Sequence, residues 1–259
     1  MFNKILVVVK DYLKEEGEKV VEEVEKILEG RNYSLMKFNG FKDSDLKDVE
    51  FVIAIGGDGT FLKLANHIQE AYLLGINPQP HSSEGALTGM SSKNLDKLKD
   101  ILDGKFNTII RQRAIAIKNG KPLKGLALNE IYIGATNQFH TARYKIKFRG
   151  VEEEHRSSGV IIATGCGSTA WYGSAGGENF DCSEPLLKFL VREPYVRELF
   201  KPKLLKGEVH KGEKIVFEDT SYNSASIAID SNEVYEFERG DVVEISLVDK
   251  PLKVIVPLN

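Results

Sequence analysis

Cysteine is scarce in this sequence, with two residues, Cys166 and Cys182, among 259. Two cysteines cannot build a disulfide scaffold at this length, so a reduced, cytoplasmic compartment is expected. An excess of one charge is also missing: 35 Lys and Arg stand against 38 Asp and Glu, a net of −3. That weak acidity supplies no general pull toward nucleic acid or an anionic membrane, and neither is expected as a partner. No apolar run approaches the roughly 20 residues that a membrane-spanning helix needs. The run Ile5–Val9 is too short for a signal h-region and is followed by charge, which argues against a leader and against secretion. Internal repeats and low-complexity stretches are absent. The histidines (67, 81, 140, 155 and 210) form neither an HExxH pattern nor a Cys/His cluster. A zinc site is therefore not expected, and no residue is assigned as a metal ligand.

What the chain does have is 42% hydrophobic and 28% charged residues, enough for a sizeable core in a protein that stays in solution. Its length is about 1.7 times a typical domain, which suits one large or two modest domains. The β-branched run at residues 4–9 reads as a buried parallel strand, and residues 12–29 as an amphipathic helix closed by Gly30. Phe51–Ile55 repeats the buried-strand signature. A helix over 60–70, a strand over 71–76 and a helix over 94–102 follow. This alternation predicts an α/β, doubly wound N-terminal domain over residues 1–104. After Gly104 the texture changes to short alternating strands: 108–117, 126–133, 142–148, 159–163, 214–218, 226–229, 234–237 and 242–248. They predict a mostly antiparallel, β-rich C-terminal domain over 105–259. The apolar tail 252–258 either closes that domain or returns to the first sheet.

Three segments could carry chemistry. Gly56-Gly57-Asp58-Gly59-Thr60 lies at the carboxyl end of a strand and the start of a helix, where parallel sheets bind ligands. Glycines there let the backbone approach a phosphate, and helix N-terminal amides favour anions. The loop is neither a Walker loop nor a GxGxxG fingerprint. Asp58 is the odd member, since a carboxylate would repel a phosphate. It either caps the helix or faces a hydroxyl or metal at the reacting end. The second segment runs from Thr164 to Tyr172. There Ser168 and Thr169 could cap a helix or offer hydroxyls, and Trp171 and Tyr172 could stack on a flat ring or simply join the core. Cys166 lies within it, but nothing nearby supplies a base for thiol catalysis. Third, Asn129-Glu130 interrupts an apolar strand, so one of the two faces an interior or a cleft; a sugar hydroxyl would satisfy a buried carboxylate there, as would a structural hydrogen bond. Glu152-Glu153-Glu154 reads as a solvated turn.

These segments, in this order, resemble the NAD kinase family over most of the chain. Gly56–Thr60 is similar to its GGDG motif, Asn129-Glu130 to its Asn-Asp/Glu pair, and Thr164–Trp171 to the motif usually written TPTGSTAY. Gly75–Pro78 through Ser83-Glu84-Gly85, with Ser157-Ser158-Gly159 and Arg192-Glu193-Pro194, resemble the mitochondrial-type branch and its prokaryotic relatives. The resemblance implies phosphoryl transfer from ATP, or polyphosphate, to the 2′-hydroxyl of the adenosine ribose of NAD, giving NADP. It implies Mg²⁺ or another divalent cation with ATP, an active site between the two domains, and a homodimer or homotetramer. Asp58 would be the base, and Gly56, Gly57, Gly59 and Thr60 the phosphate-binding loop. Asn129, Glu130, Ser158, Thr169, Ala170, Trp171 and Asp230 would contact NAD.

The match has departures. Ser158 stands where much of the family has Asp, and Gly165-Cys166 replaces Pro-Thr. Ala86 takes an aromatic position, and Asp230-Ser231 replaces Asp-Gly or Asp-His. All spare the base, so they point to altered affinity or donor preference rather than another reaction. Two other functions compete: a lipid or sugar kinase sharing GGDGT, and a nucleotide-binding regulator without catalysis. Phe61-Leu62-Lys63 after the loop speaks against the first, because lipid kinases generally continue with Asn-Glu there.

Overall fold

The computed structural model describes residues 2–82, 85–137 and 139–258. The chain divides into one unit of Met1–Ile110 with Leu252–Asn259 and a second of Arg111–Pro251.

The first unit is a seven-stranded sheet flanked by helices. Strand β1 (Ile5–Val9) lies between β2 (Tyr33–Lys37) and β3 (Phe51–Ile55) and runs parallel to both. All five β1 residues are fully buried, which is why the run carries no polar alternation. Helix α1 (Glu15–Leu28) lays Val20, Val21, Val24 and Leu28 into the same core as Ile5, Val7 and Ile53. Its first turn holds Glu15, Glu16 and Glu18 beside the positive end of the helix dipole, and Gly30, at φ +77°, ends it. Strand β3 runs directly into α2 (Asp58–Ala65), and β4 (Tyr72–Asn77) returns parallel to β3. A short strand β5 (Met90–Ser91), helix α3 (Lys97–Leu102) and strand β6 (Phe106–Arg111) follow. The last strand of the chain, β19 (Leu252–Pro257), pairs parallel with β4, giving the order β2-β1-β3-β4-β19-β6 with β5 beside β4.

The second unit is built from two six-stranded antiparallel sheets. One contains β7 (Ala114–Lys118), β8 (Lys121–Pro122), β10 (Ala142–Phe148), β11 (Val151–Ser157), β15 (Ile215–Asp219) and β18 (Val242–Leu247). The other contains β9 (Glu130–Ala135), β12 (Gly159–Ala163), β13 (Leu186–Arg192), β14 (Lys206–His210), β16 (Ala225–Ile229) and β17 (Glu233–Phe237). Alternate residues of both enter one core: Tyr144, Ile146 and Phe217 from the first sheet, Ile133, Ile162 and Phe189 from the second. Strand β12 is buried on both faces because a single helical turn, α4 (Trp171–Ser174), covers its far side: Ile161 and Ala163 pack with Tyr172 and Trp171.

Several elements differ from the sequence reading. The stretch 108–117 is two strands, β6 and β7, broken at Gln112-Arg113, where Arg113 is fully buried. Helix α2 begins at Asp58, two residues earlier than periodicity suggested, and Asn129 precedes β9 rather than interrupting it. The run Glu152–Glu154 is not a turn but the middle of β11. Its charge is matched from the neighbouring strands: Lys147 reaches Glu152 at 3.3 Å and Glu218 at 3.2 Å, and Glu153 accepts the amides of Lys203 and Leu204 at 2.8 Å each. Ser83 and Glu84 of the branch-specific segment lie outside the described residues.

Candidate functional site

The Gly56–Thr60 loop is shaped by close packing. The Gly56 amide donates to the Ile76 carbonyl at 3.0 Å, and a Cβ on Gly56 would overlap the Thr60 hydroxyl, so only glycine fits. The N-cap of α2 is Gly57, with no side-chain cap, so Asp58 does not serve as N-cap. Asp58 is instead the first helical residue. Its half-exposed carboxylate accepts the amides of Ala86, at 3.0 Å, and Leu87, at 2.8 Å. Each oxygen keeps further acceptor capacity. Gly59 is exposed and has open space around it, whereas Thr60 is buried and its amide donates to Gly57 O at 3.0 Å. In this first turn the amides of Asp58 and Gly59 have no carbonyl within the helix to receive them, which leaves donors for an anion.

In the second unit, Asp230 is the organiser. It sits at the β16–β17 turn with φ +48°, a conformation that Asp tolerates, and is 3% exposed. Its carboxylate accepts the amides of Leu128, Asn129 and Glu130 at 2.6, 2.8 and 3.0 Å. Its oxygens thus serve the backbone of the segment that presents Asn129 and Glu130. The glycine-rich turn closes over the same segment. Thr164 donates its amide to Asn129 O at 2.9 Å and its hydroxyl to Leu128 O, and a Cβ on Gly167 would overlap the Asn129 carbonyl. Glu130 is 6% exposed, and its Oε2 has no partner among the described residues. Burial, and secondarily the charge of Asp230, push its carboxyl up to about 7. A hydroxyl offered by a ligand would fit that oxygen.

The remaining predicted contacts gather in a second cluster. The Tyr132 hydroxyl donates to Ser158 O at 2.5 Å, and the Tyr132 ring packs on Trp171 at 4.9 Å. The Arg192 guanidinium lies over the Trp171 ring at 5.1 Å. The indole is thus already occupied by packing, which favours the core reading over a free stacking platform. Thr169 is exposed and donates to Cys166 O at 3.4 Å, and Ala170 links the 3-10 turn Cys166–Thr169 to α4. Sequence reasoning missed Tyr132, Arg192 and the amides of Ala86 and Leu87. Backbone donors leave no residue signature, whereas Tyr132, two positions after Glu130, could have been found.

Comparison with known proteins can now be set beside this geometry. No family model matches the chain. An NAD kinase from Fusobacterium nucleatum subsp. nucleatum is 30% identical over 255 residues, covering 94% of this chain and 88% of that protein. The chain belongs to the NAD kinase family. A probable NADH kinase from Oryza sativa subsp. japonica is 32% identical over 238 residues, 83% of this chain and 73% of its own. A solved NAD kinase from Archaeoglobus fulgidus, in complex with ATP, shares the fold with a TM-score of 0.75 at 22% identity, covering 98% of this chain and 94% of its own. In this NAD kinase family member the three sequence motifs are all held by contacts within their own units: Asp58 by the Ala86-Leu87 amides, Asn129-Glu130 by Asp230, and the glycine-rich turn by Thr164. No helix among the described residues is long and apolar enough to cross a membrane.

Proposed function

We propose that the protein phosphorylates NAD, moving the terminal phosphoryl group of ATP to the 2′-hydroxyl of the adenosine ribose to give NADP and ADP. The observation that carries this reading is the relationship to the Fusobacterium NAD kinase along 94% of the chain. Phosphoryl transfer asks chiefly for positioning and charge stabilisation, with one group to take the hydroxyl proton. Asp58 suits the last task. Two backbone amides fix its carboxylate in direction, and its half-exposed oxygens keep lone pairs for a hydroxyl. The first-turn amides around Gly57 and Gly59 would receive phosphate oxygens. Asn129 and Glu130 would hold NAD hydroxyls, the orphaned Glu130 Oε2 being the acceptor that a ribose would satisfy. Asp230 would act by positioning these two.

Among the described residues no three His, Cys, Asp or Glu side chains converge on a metal position. Mg²⁺ brought in with ATP is usually held by the substrate phosphates and one or two carboxylates, and the half-exposed Asp58 could supply one such carboxylate. When bound, it would neutralise charge on the phosphates. The acceptor is NAD rather than NADH in this proposal, although the rice relative is named for NADH. A homo-oligomer and a cytoplasmic location complete the reading, the latter resting on two free thiols.

The test is direct. Purified protein with NAD, ATP and Mg²⁺ should yield NADP, detected by an NADP-specific dehydrogenase, and faster than it phosphorylates NADH. Turnover of NADH alone would overturn the choice of acceptor. No product from either, with ATP or polyphosphate, would overturn the kinase. Phosphorylation of a sphingoid base or diacylglycerol instead would favour a lipid kinase.

A further inference from the structure

Cys166 and Cys182 have no part in the proposed reaction, yet the fold sets them side by side. Cys166 is buried and opens the 3-10 turn Cys166–Thr169, and Cys182 is half-buried. The backbones touch just before them. A Cβ on Gly165 would overlap the Asp181 carbonyl and lie 2.7 Å from the Cys182 Cα, so glycine at 165 is what lets the two segments meet. Hydrogen bonds pin the junction on either side: Phe180 N donates to Ser168 Oγ at 3.1 Å, and Gln112 N to Cys182 O at 3.0 Å. The two thiols are free and close enough for each to shift the ionisation of the other, and the Arg111 charge is near both. Cys182, the more exposed of the two, is the sulfur that ionises first: pairing with the neighbouring thiol lowers it, while the same pairing, together with burial, pushes Cys166 upward. A partly exposed thiol whose ionisation is favoured, backed by a buried second thiol on a touching segment, is the arrangement of an attacking and a resolving cysteine.

We propose that Cys166 and Cys182 form a site of reversible oxidation, closing to an intramolecular disulfide on reaction with a small-molecule disulfide. The Cys182 thiolate attacks one sulfur of the reagent RSSR, forming a mixed disulfide and releasing RS⁻, which takes up a proton. Cys166 then loses its proton and attacks the Cys182 sulfur, releasing the second RSH. Two protein thiols are oxidised and one RSSR is reduced to two RSH. The new bond closes a loop of the 15 residues 167–181 and ties the turn over Asn129 to the segment that follows it. Shortening of the unfolded chain should raise the unfolding temperature by about 5 °C or more.

None of the readouts needs catalytic activity, so the inference stands or falls apart from the kinase reading. The folded full-length protein is incubated with hydroxyethyl disulfide, digested under acid quench and mapped by mass spectrometry. The expected product joins the Cys166 and Cys182 peptides with loss of two hydrogens, is reversed by dithiothreitol, and shows the higher unfolding temperature. Cys166→Ser should stop at a mixed disulfide on Cys182, and Cys182→Ser should leave Cys166 unmodified. Wild-type protein in which both thiols stay reduced, in which the adduct on Cys182 persists without closing, or in which crosslinks join two chains would overturn the proposal.

Discussion

In the first unit Asp58 is half-exposed and accepts two amides from a neighbouring loop; in the second, Asp230 is buried and accepts three from the segment leading into β9. One opens a helix and the other sits at a hairpin turn, yet both are held by backbone N–H groups. The difference lies in what is left over. Asp58 keeps an open side that can meet a ligand, whereas Asp230 is enclosed and turns its carboxylate to the amides of Leu128, Asn129 and Glu130. Glu130 is a third case, a carboxyl with one orphaned oxygen, raised to about 7 by burial. Residue type alone does not separate these three acids; access and partner count do.

Replacing Asp230 should break the comparison at its structural end and give the largest loss of stability. Asp230→Ala strands three amides, two of them buried, and at about 1–3 kcal/mol for each buried one a loss of roughly 2–6 kcal/mol in denaturant unfolding is expected. A loss under about 1 kcal/mol would mean the clamp is dispensable.

Glu130 comes next, and it has a sign. Its folded pKa lies above the unfolded value of 4.5, so the folded protein binds the extra proton between about 4.5 and 7. The group therefore costs stability that grows as pH rises through that window and levels off above it. Glu130→Gln should be about as stable as wild type at pH 4.5 and more stable above pH 7, by something on the order of 2–3 kcal/mol. A difference that does not change with pH would remove the burial argument.

A smaller effect is expected at Trp171. With Tyr132 at 4.9 Å and Arg192 at 5.1 Å, Trp171→Ala should lower stability by about 2 kcal/mol and leave the KM for NAD within a few-fold. A large rise in KM with an unchanged Tm would restore the stacking platform.

What the sequence made legible follows from how locally each feature is encoded. Buried parallel strands such as Ile5–Val9 and Phe51–Ile55 announce themselves by apolar runs, and glycine-rich turns by composition. Strand β11 did not, because Glu152–Glu154 looks solvated until Lys145 and Lys147 are placed on the adjacent strand. The partners of Asp58 are backbone amides 28 and 29 residues away, and no side chain marks them. Asp230 was placed among the ligand contacts because the motif brings it near them. Its burial and three amide partners appear only once the β16–β17 hairpin is folded.

Asp58→Asn distinguishes a carboxylate that acts on the ligand from one that, like Asp230, serves only the backbone. The amide swap leaves the side chain's shape intact and sets one N–H₂ against the Ala86 or Leu87 donor, which should cost only about 1 kcal/mol of stability. Measured beside wild type, kcat for NADP formation should fall by roughly 10²-fold or more while Tm moves by a few degrees at most. Turnover within a few-fold of wild type in a well-folded Asp58→Asn protein would mean that Asp58 is not the base.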